Sequence, residues 1–194
     1  MKIIGLHGKA RCGKDTAAAY IQSNFEDVET YALADPLKCG AAEMFNIPLH
    51  HFYDTEFKET PDEFWGISPR EIAQKVGTEC MRKVFREDFW LKRCESQMKD
   101  DPNIFIVTDV RFENEATWIR ENGGVVIHIH RPELGEGIVR EHASEAGIKQ
   151  AIGDYRLLND GSLVEFYSKV DALIKFLTLE DETPSYIRKE NLDT

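Results

Sequence analysis

Residues 5–20, GLHGKARCGKDTAAAY, decide how the rest of the chain is read. Gly8-Lys9-Ala10-Arg11-Cys12-Gly13-Lys14 fits the spacing GxxxxGK, in which glycines let backbone amides curl around an anion and the lysine reaches terminal phosphates. The helix that follows offers its positive N-terminus to the same charge. Both flanks suit such a loop. Lys2 to Leu6 is a short apolar strand candidate, and Lys14 to Phe25 reads as a helix with Ala17, Ala18, Ile21 and Phe25 on its packed side.

The residue after Lys14 departs from the pattern, because Asp15 stands where Ser or Thr is usual. A hydroxyl there binds magnesium, whereas a carboxylate beside nucleotide phosphates is repelled by them unless a cation lies between. Asp15 is therefore read as a magnesium ligand, direct or through water; the alternative is a helix-start carboxylate favoured by the dipole. Thr16 is no simple substitute, since one helical step turns its side chain by about a quarter of a circle.

Working outward, strand and helix patterns alternate. Glu29 to Leu33 is a second strand candidate, and Pro36 opens a helix with Asp35 as its cap. Residues 47–68 are rich in turn formers and aromatics and read as a loop-rich excursion rather than a core element. Ser68-Pro69 starts a helix running through Ile72, Val76, Cys80 and Val84, with Glu71 near the capping-box position, and Asp88 to Met98 is a further helix. Ile104 to Val107 is a wholly apolar strand, Glu113 to Asn122 a helix ended by Gly123-Gly124, and Val125 to Ile129 a buried strand. Tyr155 to Leu158 is the last strand, and Ser162 to Leu177 a closing amphipathic helix. Such alternation predicts a parallel sheet covered on both faces, with ligands beyond the C-terminal strand ends.

Composition excludes several classes. At 194 residues, 42% hydrophobic and 30% charged, the chain is that of a soluble globular protein, and no apolar run approaches the roughly 20 residues of a membrane span. A formal charge of −11 repels polyanions, so no polymeric nucleic acid is expected as a partner. Cys12, Cys39, Cys80 and Cys94 form no CxxC pair, and no signal peptide precedes the glycine loop, so reduced thiols in the cytoplasm are expected.

Two further constellations carry charge suited to phosphate. Thr108-Asp109-Val110-Arg111-Phe112-Glu113-Asn114-Glu115 directly follows a strand, where Asp109 could complete a magnesium shell and Arg111 neutralise transferring phosphate. Glu115, one helical turn on, could fix the guanidinium or meet a substrate; the plainer reading makes Asp109 a cap and Arg111 half of a surface ion pair. Arg70, Gln74 and Arg82 recur at helical spacings, suiting a phosphate and a base edge or simply a solvated face. Lys38 could meet a substrate phosphate, and Arg131, Arg140 and His142 fall in a polar segment that could be a lid. Trp65 and Trp90 could stack a base or pack singly, and His128 and His130 read as structural.

With these motifs in view, the chain resembles the deoxynucleoside monophosphate kinases of tailed bacteriophages, within the larger P-loop nucleotide kinase group that includes dephospho-coenzyme A kinase and animal phosphomevalonate kinase. The resemblance rests on GKARCGKDT, ADPLK, the Arg-Gln-Gly-Thr helix from Arg70 to Thr78, DFW at 88–90, VTDVRFENEA from 107, VIHIHRP to Pro132, HASEAG from His142 and NDGSL from Asn159. It covers most of the chain. That family also spells the loop GKDT, so Asp15 matches it.

The resemblance implies an α/β, three-layer P-loop kinase fold with a parallel sheet of about five strands and helices on both faces. It implies one domain over 1–180, with 34–100 as the monophosphate-binding part and 131–150 as a lid, followed by a tail at 181–194. Gly8, Ala10, Cys12, Gly13, Lys14, Asp15 and Thr16 become the ATP and Mg2+ site, and Arg131 with Asn159, Asp160 and Gly161 flanks the adenine. Lys14, Asp15, Asp109, Arg111 and Glu115 become catalytic, with Asp15 and Asp109 at the metal. Lys38, Arg70, Gln74, Arg82 and Trp90 become substrate-binding, joined by Asp109 and Arg111.

The implied reaction moves the gamma-phosphoryl group of ATP to a deoxynucleoside 5′-monophosphate, in the host cytoplasm if a phage encodes the chain, with a homodimer open to it. Rival readings are a kinase of another phosphorylated small molecule, of the dephospho-CoA or phosphomevalonate type, and a non-catalytic nucleotide-binding module. The second lacks an NKxD motif to read guanine. Residues 47–68 form a shorter link than the insertion of some phage relatives, which makes base selectivity the property least transferable from them.

Overall fold

The strand candidates assemble into one five-stranded, wholly parallel sheet in the order β2-β3-β1-β4-β5. A computed structural model describes residues 1–98, 102–132 and 142–179 of the protein. The expected lid falls partly, through 133–141, and the tail wholly outside the described residues, as does Arg140. The strands are β1 Lys2–His7, β2 Val28–Tyr31, β3 Ile104–Val107, β4 Val125–His130 and β5 Tyr155–Leu158. β1 is central, and β3 beside it is buried along its whole length, as its uninterrupted apolar sequence requires of a strand covered on both faces.

Alternation along the strands assigns the two faces. Ile4 and Leu6, Ile104 and Ile106, Ile127 and Ile129, and Tyr155 and Leu157 share one core cluster with Ala17, Ala18 and Ile21 of helix α1, Lys14–Asn24. Phe166, Val170, Leu173 and Ile174 of helix α6, Leu163–Leu179, complete that layer. On the opposite face, Ile119 of helix α5, Glu113–Glu121, lies against Gly5 beside Val110 and Val126. Helices on both sides of a parallel sheet make the three layers that the alternating pattern predicts.

The chain divides into two compact units: Met1–Tyr31 with the described residues from Pro102 onward, and Ala32–Met98. The second holds helices α2 Asp35–Phe45, α3 Pro69–Gln74 and α4 Phe89–Gln97, around a core of Ala41, Ala42, Ile47, Phe52 and Ile72. Residues 47–68 are loop-rich as expected, with short 3-10 turns at Leu49–Phe52 and Phe57–Glu59. They are nonetheless part of that core, because Ile47 and Phe52 are buried in it.

Two local readings change. Asp35 is the first residue of α2 rather than its cap, and its carboxylate bonds Lys38 and Tyr53 instead of backbone N–H groups. Ser68 does cap α3 in a full capping box with Glu71, but the winding loosens after Gln74 into π-helical turns over Lys75–Phe85. Burial then falls at Ile72, at Gly77 with Thr78, and at Arg82, about five residues apart, and the expected apolar positions Cys80 and Val84 are exposed. A four-residue apolar spacing presumes α-helical hydrogen bonds, and the i to i+5 pattern carries those side chains off the packed face.

Candidate functional site

β1 sends the chain by α1 to β2 on one side of the sheet, and β4 is followed by β5 on the other. The reversal between β1 and β4 is where an open parallel sheet leaves a crevice at its C-terminal edge. Arg11, Gly13, Lys14, Asp15 and Thr16 after β1 line a cleft there with Arg131 after β4, and with Asn159, Gly161 and Leu163 after β5. Residues 150 positions apart in sequence thus meet because three adjacent parallel strands end together.

The loop holds a conformation that demands its glycines. Gly13 has φ +113°, and a Cβ there would lie 2.8 Å from Asn159 Nδ2 and 3.2 Å from the Phe166 ring. Gly8 has φ +150°, and its missing Cβ would stand 2.4 Å from the Ile129 carbonyl. Arg11, at φ 65°, is a non-glycine residue in the left-handed region, which is uncommon and marks a constrained turn.

Lys14 lies over the loop, its Nζ donating to the carbonyls of Gly8 at 2.6 Å and Lys9 at 2.9 Å. That places a cation at the mouth of a ring of backbone amides, beside the N-terminus of α1. Cys12 is buried beneath it, and burial pushes its thiol pKa up against the pull of the neighbouring Lys14 charge. Asp15, in the first turn of α1, is exposed and lines the cleft.

The turn after β5 braces the loop from the far side. Asn159 Nδ2 donates to the Cys12 carbonyl at 2.9 Å, and the Asn159 N–H donates to His130 O at the end of β4. Gly161 then lets Glu165 fold back, and the Glu165 carboxylate accepts from the Ser162 N–H at 2.7 Å in the reciprocal capping that starts α6.

Asp109 follows β3, bracketed by two main-chain bonds: the Thr108 N–H to Tyr31 O at 3.0 Å and the Val110 N–H to Leu6 O at 3.1 Å. Arg111 is exposed, while Glu115 is buried at the third position of α5. Its Oε2 accepts the backbone N–H groups of Arg111 at 2.8 Å and Phe112 at 3.1 Å. A carboxylate one turn into a helix meets the orphan donors of its first turn, so Glu115 acts on the Arg111 main chain.

In the second unit, Lys38, Arg70 and Arg82 each face a carboxylate: Asp35 at 3.2 Å, Glu59 at 2.8 Å and Glu87 at 3.8 Å. Arg82 is buried, and Gln74 is half-buried at the end of α3. Trp90 is buried too, its indole N–H donating to Gly77 O at 3.1 Å, so it packs within the unit rather than presenting an open ring. Trp65 donates to Phe45 O and stands edge-on to Phe45.

Sequence reading missed a buried polar network in the first unit. Asp154, 2% exposed, receives Arg120 Nε at 3.0 Å, Arg120 Nη2 at 2.6 Å, His128 Nε2 at 3.0 Å and the Ala151 N–H at 2.8 Å. Burial alone would raise its pKa, but the bonds from His128, Arg120 and Ala151 outweigh it and bring the group to about 2. His7 stands 5.2 Å from His128, and burial lowers its pKa although Val110 O accepts from its ring. A single aspartate with partners 26 and 34 residues away has no local sequence signature. Arg11 and Leu163 were also missed as cleft residues, one being a variable position of the glycine motif and the other an ordinary helix start.

No group of three or more His, Cys, Asp or Glu side chains is placed to hold a metal among the described residues, and no helix among them is long and apolar enough to cross a membrane.

Comparison with known proteins adds the family. The family profile described as deoxynucleotide monophosphate kinase matches residues 2–60 and 50–170. A putative deoxynucleotide monophosphate kinase of Acanthamoeba polyphaga mimivirus is 36% identical over 185 residues, covering 88% of this chain and 94% of that protein. The deoxynucleotide monophosphate kinase of Enterobacteria phage T4 is 27% identical, covering 91% of this chain and 100% of that protein. That alignment runs over 246 positions, more than the 194 residues here, so the phage protein carries segments this chain lacks. Among solved structures, dephospho-CoA kinase from Campylobacter jejuni superposes with a TM-score of 0.48 at 17% identity, covering 94% of this chain and 100% of that one.

Proposed function

The chain belongs to the deoxynucleotide monophosphate kinase family, and we propose the roles its residues take in that family's reaction. The enzyme transfers the gamma-phosphoryl group of ATP to the phosphate of a deoxynucleoside 5′-monophosphate, giving a deoxynucleoside diphosphate and ADP. The observation that carries the residue assignment is the cleft in which Lys14 and Asp15 meet Arg131, Asn159 and Gly161.

An oxygen of the monophosphate attacks the gamma phosphorus in line, and the bond to the bridging oxygen of ADP breaks. Neither oxygen needs strong activation, so catalysis is positioning and charge neutralisation. In our reading the loop amides from Gly8 to Gly13, including those of Ala10 and Cys12, hold the donor phosphates. Lys14 meets the terminal ones, and Arg131 with the Asn159 turn borders the adenosine. Asp109 and Arg111 serve the transferring group, and Glu115 fixes where Arg111 begins.

Magnesium suits this donor set. It typically takes one or two carboxylates, with phosphate oxygens and waters completing six ligands, so it needs no cluster of three protein ligands. Asp15, exposed beside Lys14 in the cleft, is the group we assign to it, with Thr16 next in line, and Asp109, which follows β3, is the second carboxylate of our assignment. Bound there, the ion would screen donor charge and orient the phosphates.

Residues Ala32–Met98 are our candidate for the monophosphate-binding part. Arg70 is paired to Glu59, whose side chain is 40% exposed, and such a pair contributes little stability, so a phosphate dianion can replace that carboxylate at low cost, while Lys38, bonded to Asp35, keeps part of its side chain exposed for the same ligand. Arg82 and Gln74 are the further acceptor candidates.

The test is a coupled assay of ADP release with MgATP and each of the four deoxynucleoside monophosphates, with dephospho-CoA and phosphomevalonate as rival acceptors. Turnover with at least one deoxynucleotide and neither rival is expected. Turnover confined to a rival would overturn the acceptor, and ATP binding without transfer to any acceptor would make the protein a binding module.

A further inference from the structure

Tyr53 belongs to the loop-rich 47–68 segment, yet both ends of its side chain serve Lys38. Lys38 Nζ stands 4.0 Å from the centroid of the Tyr53 ring and donates to Asp35 Oδ1 at 3.2 Å. The Tyr53 hydroxyl donates to that same oxygen at 2.9 Å. Ring face, hydroxyl, carboxylate and ammonium therefore close a small circuit between the start of α2 and the loop that follows it in sequence.

A lysine ammonium on a four-carbon stem ordinarily samples many rotamers, and binding an anion with it costs the entropy of choosing one. Here the choice is made beforehand, by a cation–π contact on one side and a charge-assisted bond on another. Asp35 takes one of the ammonium's three donors, and the Tyr53 hydroxyl draws on the carboxylate that would otherwise neutralise it more fully. The lysine keeps 23% of its side chain exposed. Its charge is thus fixed in place and still open to a ligand.

We propose that Tyr53 is a positioning residue for the acceptor: it holds Lys38, by its ring and through Asp35, in readiness for the phosphomonoester dianion of the deoxynucleotide. The inference rests on the acceptor role of Lys38 given above. It also makes the loop-rich segment a determinant of acceptor affinity through its hold on a phosphate-binding lysine, whatever contacts the base makes.

Steady-state kinetics varying the preferred deoxynucleoside monophosphate at saturating MgATP, and MgATP at saturating monophosphate, test this with Tyr53→Leu, Tyr53→Phe, Lys38→Ala and the double variant Lys38→Ala/Tyr53→Leu. Tyr53→Leu is expected to raise acceptor KM about tenfold, with kcat and the KM for ATP within about twofold of wild type. Tyr53→Phe, which keeps the ring, should recover acceptor KM to within about threefold. On the Lys38→Ala background, Tyr53→Leu should add nothing, because a residue acting through another loses its effect when that one is gone. Tyr53 is 46% exposed, so the variants should fold, and matched melting curves check that they do. An unchanged acceptor KM in Tyr53→Leu, additive effects in the double variant, or an unchanged acceptor KM in Lys38→Ala would each overturn the proposal while leaving the kinase reading intact. Absence of turnover by the wild-type chain on every deoxynucleotide would remove both.

Discussion

The side-chain amide of Asn159 donates to the main-chain carbonyl of Cys12 at 2.9 Å, across 147 residues of sequence. The bond joins the turn after β5 to the crown of the glycine loop after β1, two segments that the sequence shows only as separate motifs. It fixes the direction of a carbonyl beside Gly13, and with it the peptide whose N–H would face phosphate.

Asn159→Ala should therefore loosen the loop without unfolding the sheet. A lost, partly buried hydrogen bond of this kind is worth about 1 kcal/mol, so the KM for ATP should rise about fivefold to tenfold, with acceptor KM unchanged at saturating ATP. Initial-rate kinetics check it. An unchanged KM for ATP would show that the loop keeps its shape unaided.

Gly13→Ala is the harsher change at the same junction. Its φ of +113° is one that side-chain-bearing residues rarely adopt, and the new Cβ would meet Asn159 Nδ2 at 2.8 Å and the Phe166 ring at 3.2 Å. Backbone strain of this sort costs about 1–3 kcal/mol, so we expect a lower Tm together with a loss of nucleotide affinity on the order of 100-fold. Calorimetry of ATP binding beside a thermal melt reads both. A variant that binds ATP normally would mean the loop has a second workable conformation.

Most of the sheet was legible because β1, β3 and β4 are largely buried and apolar, and the glycine spacing located the loop at its C-terminal edge. Ile104–Val107 and Ser68–Glu71 match their expected places because each signal is local: an unbroken apolar run, and a cap with its partner three residues on. The π-helical turns after Gln74 were not legible, since a four-residue apolar spacing is drawn for α-helical winding and the burial of Gly77 and Arg82 follows another period. Glu115 was singled out for its charge, but its burial and its bonds to two main-chain N–H groups depend on where α5 begins. Asp154 was invisible, because nothing near it in sequence marks a carboxylate whose partners lie on β4 and α5.

That carboxylate sets a pH dependence. Its folded pKa of about 2 lies below the ordinary value near 3.8, so its contribution is fully present above about pH 4 and is lost as pH falls through 2. The shift corresponds to about 2 kcal/mol at neutral pH. Asp154→Asn should lose at least that much at pH 6, since it also leaves Arg120 and His128 without their anion, and the gap from wild type should narrow on acidification toward pH 2. Urea unfolding at several pH values measures the gap. A gap independent of pH would mean the ionised state of Asp154 contributes nothing.

Asp15→Asn tests the residue that sets this loop apart. Asp15 is exposed in the first turn of α1, so the exchange should leave the melting temperature within a degree or two, by the usual tolerance of surface positions. Its chemistry is another matter: a carboxylate among donor phosphates is tolerable only beside a cation, and an amide is a far weaker ligand for a hard divalent ion. The magnesium concentration for half-maximal rate should rise about tenfold and kcat should fall. Thr16→Val is the companion variant, since its hydroxyl points about 100° away around the helix and would carry the metal only if Asp15 does not. If Asp15→Asn left the magnesium requirement unchanged while Thr16→Val raised it, the ion would belong to the hydroxyl. The aspartate would then be a helix-start charge, held there by the dipole of α1 and not by the metal.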